Sequence, residues 1–401
     1  MATLAQGTGS IASGGSADEL TLAGRCAAYR WTMLALGFYL AAAGLGLGWD
    51  RAWHATHPFR DFFSPPHLFI YSMFALAMLS MARLCGAEHL RACFAGEPVH
   101  LPGLRVALPG PLAFAAGGLA VVGVAGLLDL TWHSLFGLDE TGWSLPHALL
   151  GWGIMLSLLG LISCRLRLAA YRPLASHTPY IFAALLLMLL GDGPIAPFNG
   201  NHTAEGLRAV YHLPVLAADK AAQHTFRIYS EHGLTRSNPL FMLVSAFAGG
   251  AGLALALALF KRRRVVVVAA TIAFLLVASS GMRAARFFGL PHSTAEWLPV
   301  PFLAALLIYL ACRALRAADG WSWAAAGLGF GLIEAAVWTH RPAVALASAA
   351  LLAAGALAGD WLAETVQRPD GPRLVRLFAV LAVAWPVTTG IIDLWLRTHT
   401  A

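Results

Sequence analysis

The chain is poor in charge. Only 12% of its 401 residues are Asp, Glu, Lys or Arg, whereas 58% are hydrophobic and the mean hydropathy is +0.67. Soluble domains carry roughly 25% charged residues, so this composition excludes a soluble multidomain protein and indicates a chain that crosses a membrane several times. The net charge of +7 arises from short basic clusters between apolar runs. No nucleic-acid-binding motif accompanies those clusters, so we expect no nucleic-acid partner.

Two further features are missing. The five cysteines form no CxxC pair and no zinc-finger spacing, which excludes the common cysteine-based metal sites. The N-terminal residues lack the apolar core of a signal peptide. We interpret residues 1–24, which are rich in Gly, Ser and Ala, as a disordered tail.

Long apolar segments are abundant. A helix needs about 17–25 residues to cross the hydrocarbon layer. We therefore predict an all-α, polytopic membrane bundle of about eleven transmembrane helices. The segments run approximately 29–49, 66–84, 109–130, 146–164, 178–191, 238–260, 265–282, 298–315, 322–338, 342–359 and 374–394. The fifth is short and the tenth is rich in alanine, so a re-entrant or tilted element is an alternative for either one.

Basic clusters follow alternate segments and predict an orientation. The positive-inside rule places all of them on one side if the N-terminus is cytoplasmic, and the C-terminus is then outside. All five cysteines fall near that cytoplasmic side, where no structural disulfide is expected. Most histidines fall at the outer side, which we expect to be the periplasmic face of a bacterial-type inner membrane. They are His54, His57, His67, His133, His147, His202, His212, His224, His232, His292, His340 and His399.

A polar motif occurs twice at this outer side. The pattern D-x-x-W-H, followed by S-x-P-H, appears as Asp50–His54 with His67, and again as Asp129–His133 with His147. Asp and His four residues apart share one face of a helix. Proline suits the first turn of the helix that carries the last histidine. The near-identical spacing indicates an internal repeat of two helical hairpins.

Each copy can bring one carboxylate and two imidazoles together. This ligand set suits Cu, Zn or Fe and leaves coordination positions open. The alternative is a solvated or hydrogen-bonded Asp–His pair without metal, but the second copy favours metal. We predict ligands Asp50, His54, His67, Asp129, His133 and His147, with the first three catalytic. The tryptophan before each inner histidine fits a packing or interfacial role.

These motifs resemble the C subunit of the copper membrane monooxygenases, the family of particulate methane and ammonia monooxygenases. The resemblance covers about residues 29–165 and includes the segment "RDFFSPPH". It implies one copper site at Asp50, His54 and His67, and a second at Asp129, His133 and His147. The family has Asn where this chain has Asp129. It also implies hetero-subunits, although this chain shows no cupredoxin-like segment or His-x-His pair.

We therefore divide the chain into the tail 1–24, a duplicated metal-binding unit 25–165, and further helices 166–401 that include a long outer loop at 192–237. The leading hypothesis is a copper oxygenase, with one or two ions, that uses O2 to oxidise a small or apolar substrate arriving from the lipid bilayer. It is either a single-chain relative, as a possible homo-oligomer, or a diverged copy with other partners. A zinc-dependent membrane hydrolase of a lipid amide or ester, an iron site and a metal-transport protein are the alternatives. His202, His224, His232 and His292 have no assigned role.

Overall fold

The computed structural model describes residues 14–46, 49–50, 53, 63–100, 106–136, 145–168, 239–260, 263–272, 299–336 and 341–400. Most of these residues are helical, in agreement with the predicted all-α class. The predicted fifth segment, at 178–191, and the long loop at 192–237 lie outside the described residues, as does most of the seventh segment.

The described helices follow the predicted apolar segments closely. They are α1 Gly14–Leu40, α2 Pro65–Gly86, α3 Glu88–Arg91, α4 Gly110–Phe136, α5 Leu145–Arg167, α6 Pro239–Leu259, α7 263–272, α8 Pro299–Ala314, α9 Asp319–Glu334, α10 Pro342–Gln367 and α11 Gly371–Thr400. A π-helical segment, Ala41–Gly46, continues α1. Two short antiparallel strands precede α4, β1 Pro98–Val99 and β2 Leu108–Pro109, with Val99 opposite Leu108.

Five described helices are long and apolar enough to cross a membrane, so the chain is membrane-embedded. Their spanning parts are Pro65–Gly86, Gly110–Trp132, Leu145–Arg167, Pro342–Gln367 and Gly371–Ile391. The fourth of these is the alanine-rich tenth segment, which forms a continuous helix of 26 residues. The apolar parts Leu243–Leu259 and Phe302–Ala314 are shorter. The total of about eleven spans stays a prediction.

Glycines bring α4 and α5 into close antiparallel contact. A Cβ atom on Gly160 would lie 2.4 Å from the Ala115 backbone, and one on Gly118 would lie 2.4 Å from the Ser157 nitrogen. Further along, a Cβ on Gly153 would lie 2.8 Å from the Val122 nitrogen. Small residues let membrane helices approach until their backbones touch. These contacts fix the register of the hairpin along most of its length.

A second group of helices packs by the same means. A Cβ on Gly250 of α6 would lie 2.0 Å from the Leu352 carbonyl oxygen, and one on Gly355 of α10 would lie 2.0 Å from the Phe247 carbonyl oxygen. Helix α9 meets α10 at Gly331, where a Cβ would lie 2.5 Å from the Ala345 carbonyl oxygen. Helices α6, α9 and α10 therefore form one closely packed layer.

Hydrogen bonds join the two groups at one end of the molecule. Ser163 Oγ donates to the Val366 carbonyl at 2.7 Å, and Gln367 Nε2 donates to the Ala258 carbonyl at 3.2 Å. Arg167 also donates to the Gln367 carbonyl. The C-terminal ends of α5, α6 and α10 consequently meet, and the first turns of α5 and α2 belong to the opposite end.

Helix α1 is longer than predicted and contacts α5. Helix α1 begins at Gly14, within the segment interpreted as a tail, and residues 1–13 lie outside the described part of the chain. The Arg165 guanidinium lies 5.5 Å from the centre of the Tyr29 ring, so α5 contacts α1.

All five cysteines are free thiols. Cys93 Sγ donates to the His89 carbonyl, and burial raises the pKa of this thiol.

Candidate metal centre

The first copy of the motif brings Asp50 and His67 into contact. His67 Nε2 lies 2.9 Å from Asp50 Oδ1. Helix α2 starts as predicted, with proline in its first turn and Ser64 as its N-cap, whose Oγ accepts a hydrogen bond from the His67 backbone at 3.4 Å. The cap and the prolines thus place His67 in the first turn, facing the end of the preceding helix.

The π-helical segment that precedes Asp50 packs closely against α2. Its last residue, Gly46, is pressed against α2, since a Cβ there would lie 2.5 Å from Ile70 Cγ1. The rings of Trp49 and Phe69 are 6.1 Å apart. Trp49 therefore packs against the first turns of α2. π-Helical turns inside α-helices occur frequently at functional sites.

The second copy brings Asp129 and His147 together. His147 Nδ1 lies 3.5 Å from Asp129 Oδ1. The close glycine contacts set the antiparallel register of α4 and α5, and Gly153–Val122 is one of them. The same register, continued about two turns from Gly153–Val122, places Asp129 beside His147. Trp385 of α11 donates from Nε1 to the Leu145 carbonyl at 2.7 Å and anchors the start of α5.

Tyr71 links the two copies and was not predicted. Its ring stacks on His67, with centres 5.8 Å apart and an interplanar angle of 23°. Its hydroxyl interacts electrostatically with the carboxylates of both Asp50 and Asp129. The two Asp–His pairs therefore belong to the same end of the bundle. The sequence contained the relevant signal, since Tyr71 follows His67 by one helical turn.

Both carboxylates are mostly shielded from water. The Asp50 and Asp129 side chains are 20% and 16% exposed, while His67 and His147 are 20% and 35% exposed. Charged groups inside a membrane protein are costly unless a partner compensates them, and they mark functional sites by default. In each pair the histidine is one compensating partner, and a bound cation would be a stronger one.

The third predicted ligand of each set cannot be placed. His54 and His57 lie outside the described residues, and His133 belongs to α4 while its side chain is not described. Within the described ranges, no three His, Cys, Asp or Glu side chains form a group that could hold a metal ion. The structure thus unites two of three predicted ligands in each copy. His202, His224, His232 and His292 also lie outside the described part of the chain.

The Asp–His separations are those of hydrogen-bonded or ion-paired side chains, and they are also short enough for two ligands of one metal ion. Ligand nitrogen and oxygen atoms lie about 2.0–2.2 Å from Zn or a similar ion, so two ligands on one ion are about 3 Å apart at right angles. The separations of 2.9 Å and 3.5 Å agree with two adjacent ligands in each pair. Imidazole with carboxylate suits copper, zinc and iron alike.

Glu334 is a separate buried acid. It ends α9 and its side chain is fully buried, with a π-helical turn at residues 335–336 directly after it. It lies on the face of α9 that contacts α10, one turn beyond Gly331. This position belongs to the second helix group and not to the Asp–His pairs.

Comparisons of the chain with protein-family models, with curated proteins and with solved structures found no match.

Proposed function

We propose that this protein is a membrane-embedded, copper-dependent monooxygenase that uses O2 to oxidise a small or apolar substrate. The observation that carries the proposal is the pairing of Asp50 with His67 and of Asp129 with His147 at equivalent ends of two hairpins. One Asp–His contact is common as a structural hydrogen bond. Two such contacts in a sequence repeat, beside a shared tyrosine, favour a binding role.

Within this proposal the residues have distinct roles. Asp50, His54 and His67 would hold the catalytic ion, and Asp129, His133 and His147 would hold a second one. Copper bound there would supply O2 activation. The stack of Tyr71 on His67 fixes the orientation of that imidazole. The two carboxylates offset the positive charge of bound ions inside the membrane.

The proposed orientation follows the charge pattern. The N-terminus is cytoplasmic, and the pairs lie toward the periplasmic side of an inner membrane. The substrate then arrives from the lipid bilayer. Exposed apolar side chains beside the second pair, such as Leu127 and Leu130, give that side a lipid-compatible surface.

Metal analysis tests the proposal directly. Full-length protein purified in detergent should bind copper, and His67→Ala should remove about one ion per chain together with O2-dependent turnover. His89→Ala is the matched control, because His89 lies in α3 outside the site and is exposed. Unchanged copper in His67→Ala would overturn the proposal.

The same preparation separates the alternatives. Product formation under strict anaerobiosis would indicate a zinc hydrolase, because hydrolysis consumes water and not O2. Ion flux into liposomes without an organic product would indicate transport.

A further inference from the structure

The Arg165 guanidinium has no counter-ion among the residues that the structure describes. It belongs to the last turn of α5, a helix long enough to cross a membrane, so it lies near the boundary between hydrocarbon and headgroups. None of the ion pairs in the described ranges involves Arg165. Its Nε atom is buried and has no hydrogen-bond partner in the same part of the chain. Because a shielded charge is costly unless a partner compensates it, this position favours a bound anion.

Other arginines at this end of the molecule are compensated differently. Arg167, one residue beyond Leu166, donates to a carbonyl of α10, and Arg373 forms an ion pair with Asp370. Arg165 instead lies over the Tyr29 ring, 5.5 Å from its centre. A cation–π contact offsets part of the charge, but the face of a ring does not replace oxygen acceptors for the guanidinium N–H groups.

Helices α1 and α5 form a long antiparallel seam that ends at this guanidinium. The Tyr39 hydroxyl donates to the Ile154 carbonyl at 2.6 Å. Tyr29 precedes Tyr39 in α1, whereas Arg165 follows Ile154 in α5, so the two contacts show that the helices run in opposite directions and stay adjacent. The α1–α5 seam therefore reaches the membrane boundary at Tyr29 and Arg165.

A second arginine lies at the same end of the seam. Arg25 precedes Tyr29 by about one turn and shares its side of α1. Its side chain is exposed and interacts electrostatically with Cys93, just after α3. The described ion pairs include no arginine of α1. Arg25 and Arg165 thus bring two guanidinium groups to one end of the seam, and guanidinium groups bind phosphate oxygens with two parallel hydrogen bonds.

We propose that Arg25 and Arg165, at the end of the α1–α5 seam, bind the phosphate of an anionic phospholipid headgroup. A lipid is favoured over a soluble phosphate because the seam ends where α5 reaches the membrane boundary, and because Leu166, directly after Arg165, is exposed. Basic pockets between membrane helices at such boundaries bind anionic headgroups. The Asp–His pairs lie toward the other end of α5, so this inference does not depend on copper.

Lipid retention in native mass spectrometry tests the site. Full-length protein, delipidated in detergent, would be mixed with phosphatidylglycerol, which is anionic, or with phosphatidylcholine, which is zwitterionic. We expect the wild type to retain phosphatidylglycerol in preference to phosphatidylcholine. Arg165→Gln should lower the affinity for phosphatidylglycerol at least about tenfold, because it removes charge-assisted hydrogen bonds. Arg25→Gln should lower it about fivefold, because Arg25 is exposed.

Arg376→Gln is the matched control. Arg376 is an exposed arginine near the start of α11, and its Nε donates to the Pro372 carbonyl at 3.3 Å. This variant removes the same charge away from the seam and should retain the wild-type affinity. Arg165→Lys keeps the charge without the paired hydrogen bonds, so it should lose less affinity than Arg165→Gln. If Arg165→Gln does not fold, Arg165→Lys and Arg25→Gln still decide.

Several results would overturn the lipid site. They are equal retention of the two lipids by the wild type, unchanged affinity in the folded Arg165 variants, and an equal loss in Arg376→Gln, which would indicate diffuse surface charge. Inorganic phosphate is the third probe. If it raised the unfolding temperature in an Arg165-dependent way without any preference for phosphatidylglycerol, the anion would be a soluble one. The copper content of the protein affects none of these readings, so failure of the lipid site and failure of the proposed function are distinguishable.

Discussion

The two hairpins reach similar Asp–His contacts by different means. In the first, a π-helical segment follows α1 and packs against α2 before Asp50, and Tyr71 stacks on the histidine. In the second, glycine contacts fix the α4–α5 register, and Gly151 leaves the histidine uncovered. Close helix packing along a whole helix pair thus supports the second contact, whereas an aromatic stack accompanies the first. The same repeated motif can therefore supply one covered and one accessible site.

The largest effect is expected where the second hairpin is most closely packed. Gly160→Leu forces a side chain against the Ala115 backbone, which cannot move aside without separating the helices. We expect a loss of about 3 kcal/mol in unfolding free energy. Denaturant titration in detergent measures it, with Gly390→Leu as the control at an open position in α11.

Gly160→Leu should also affect the two Asp–His pairs differently. The Asp129–His147 pair should lose its metal while the Asp50–His67 pair keeps one ion. Simultaneous loss of both ions would contradict the independent construction of the two contacts.

Removal of a carboxylate should have the next largest effect. Asp50→Ala leaves His67 without its charged partner, so we expect a loss of at least about 100-fold in copper affinity, or about 2.7 kcal/mol. Asp129→Asn should cost less, because an amide oxygen keeps a ligand atom and the resembled family has Asn there. Competitive chelator titration measures both. Equal losses of copper affinity in Asp50→Ala and Asp129→Asn would show that the charge of Asp129, and not its ligand oxygen, determines affinity at the second pair.

Tyr71 allows a finer test of the covered site. Tyr71→Ala removes the stack on His67, which is worth about 0.5–1.5 kcal/mol and corresponds to about 2–12-fold in affinity at the first pair. Tyr71→Phe keeps the ring and should bind copper at the first pair as the wild type does. Titration in the His147→Ala background, which disables the second pair, isolates the first pair. A loss in Tyr71→Phe as large as that in Tyr71→Ala would assign the effect to the hydroxyl.

The smallest effect is expected at the helix cap. Ser64→Ala removes the acceptor for the His67 backbone N–H, and the 3.4 Å distance indicates a weak bond. We expect about 0.5 kcal/mol of destabilisation, and less for Ser64→Thr, which keeps an acceptor. Thermal unfolding in detergent measures the difference. A larger loss for threonine than for alanine would argue against a capping role.

The amino-acid sequence by itself determined the class of the protein. Apolar segments predicted the long helices, as α2 and α5 show, because a membrane requires helices to satisfy their own backbone hydrogen bonds. The prolines before His67 predicted where α2 begins, and the structure adds Ser64 as the N-cap. The repeat predicted that each aspartate would lie near the histidine of the following helix, as Asp50–His67 and Asp129–His147 show. The predicted shared face of Asp50 with His54 and of Asp129 with His133 stays a prediction.

Only the tertiary structure decided how the two contacts relate. Helix periodicity is a local property, so it cannot show that Tyr71 of one hairpin lies near Asp129 of the other. Nor can it separate the tightly packed Gly153 from the open Gly151, although the two are two residues apart in one helix. Val122 of the neighbouring helix fills the Gly153 position, whereas none of the described atoms lies within 4 Å of the Gly151 position.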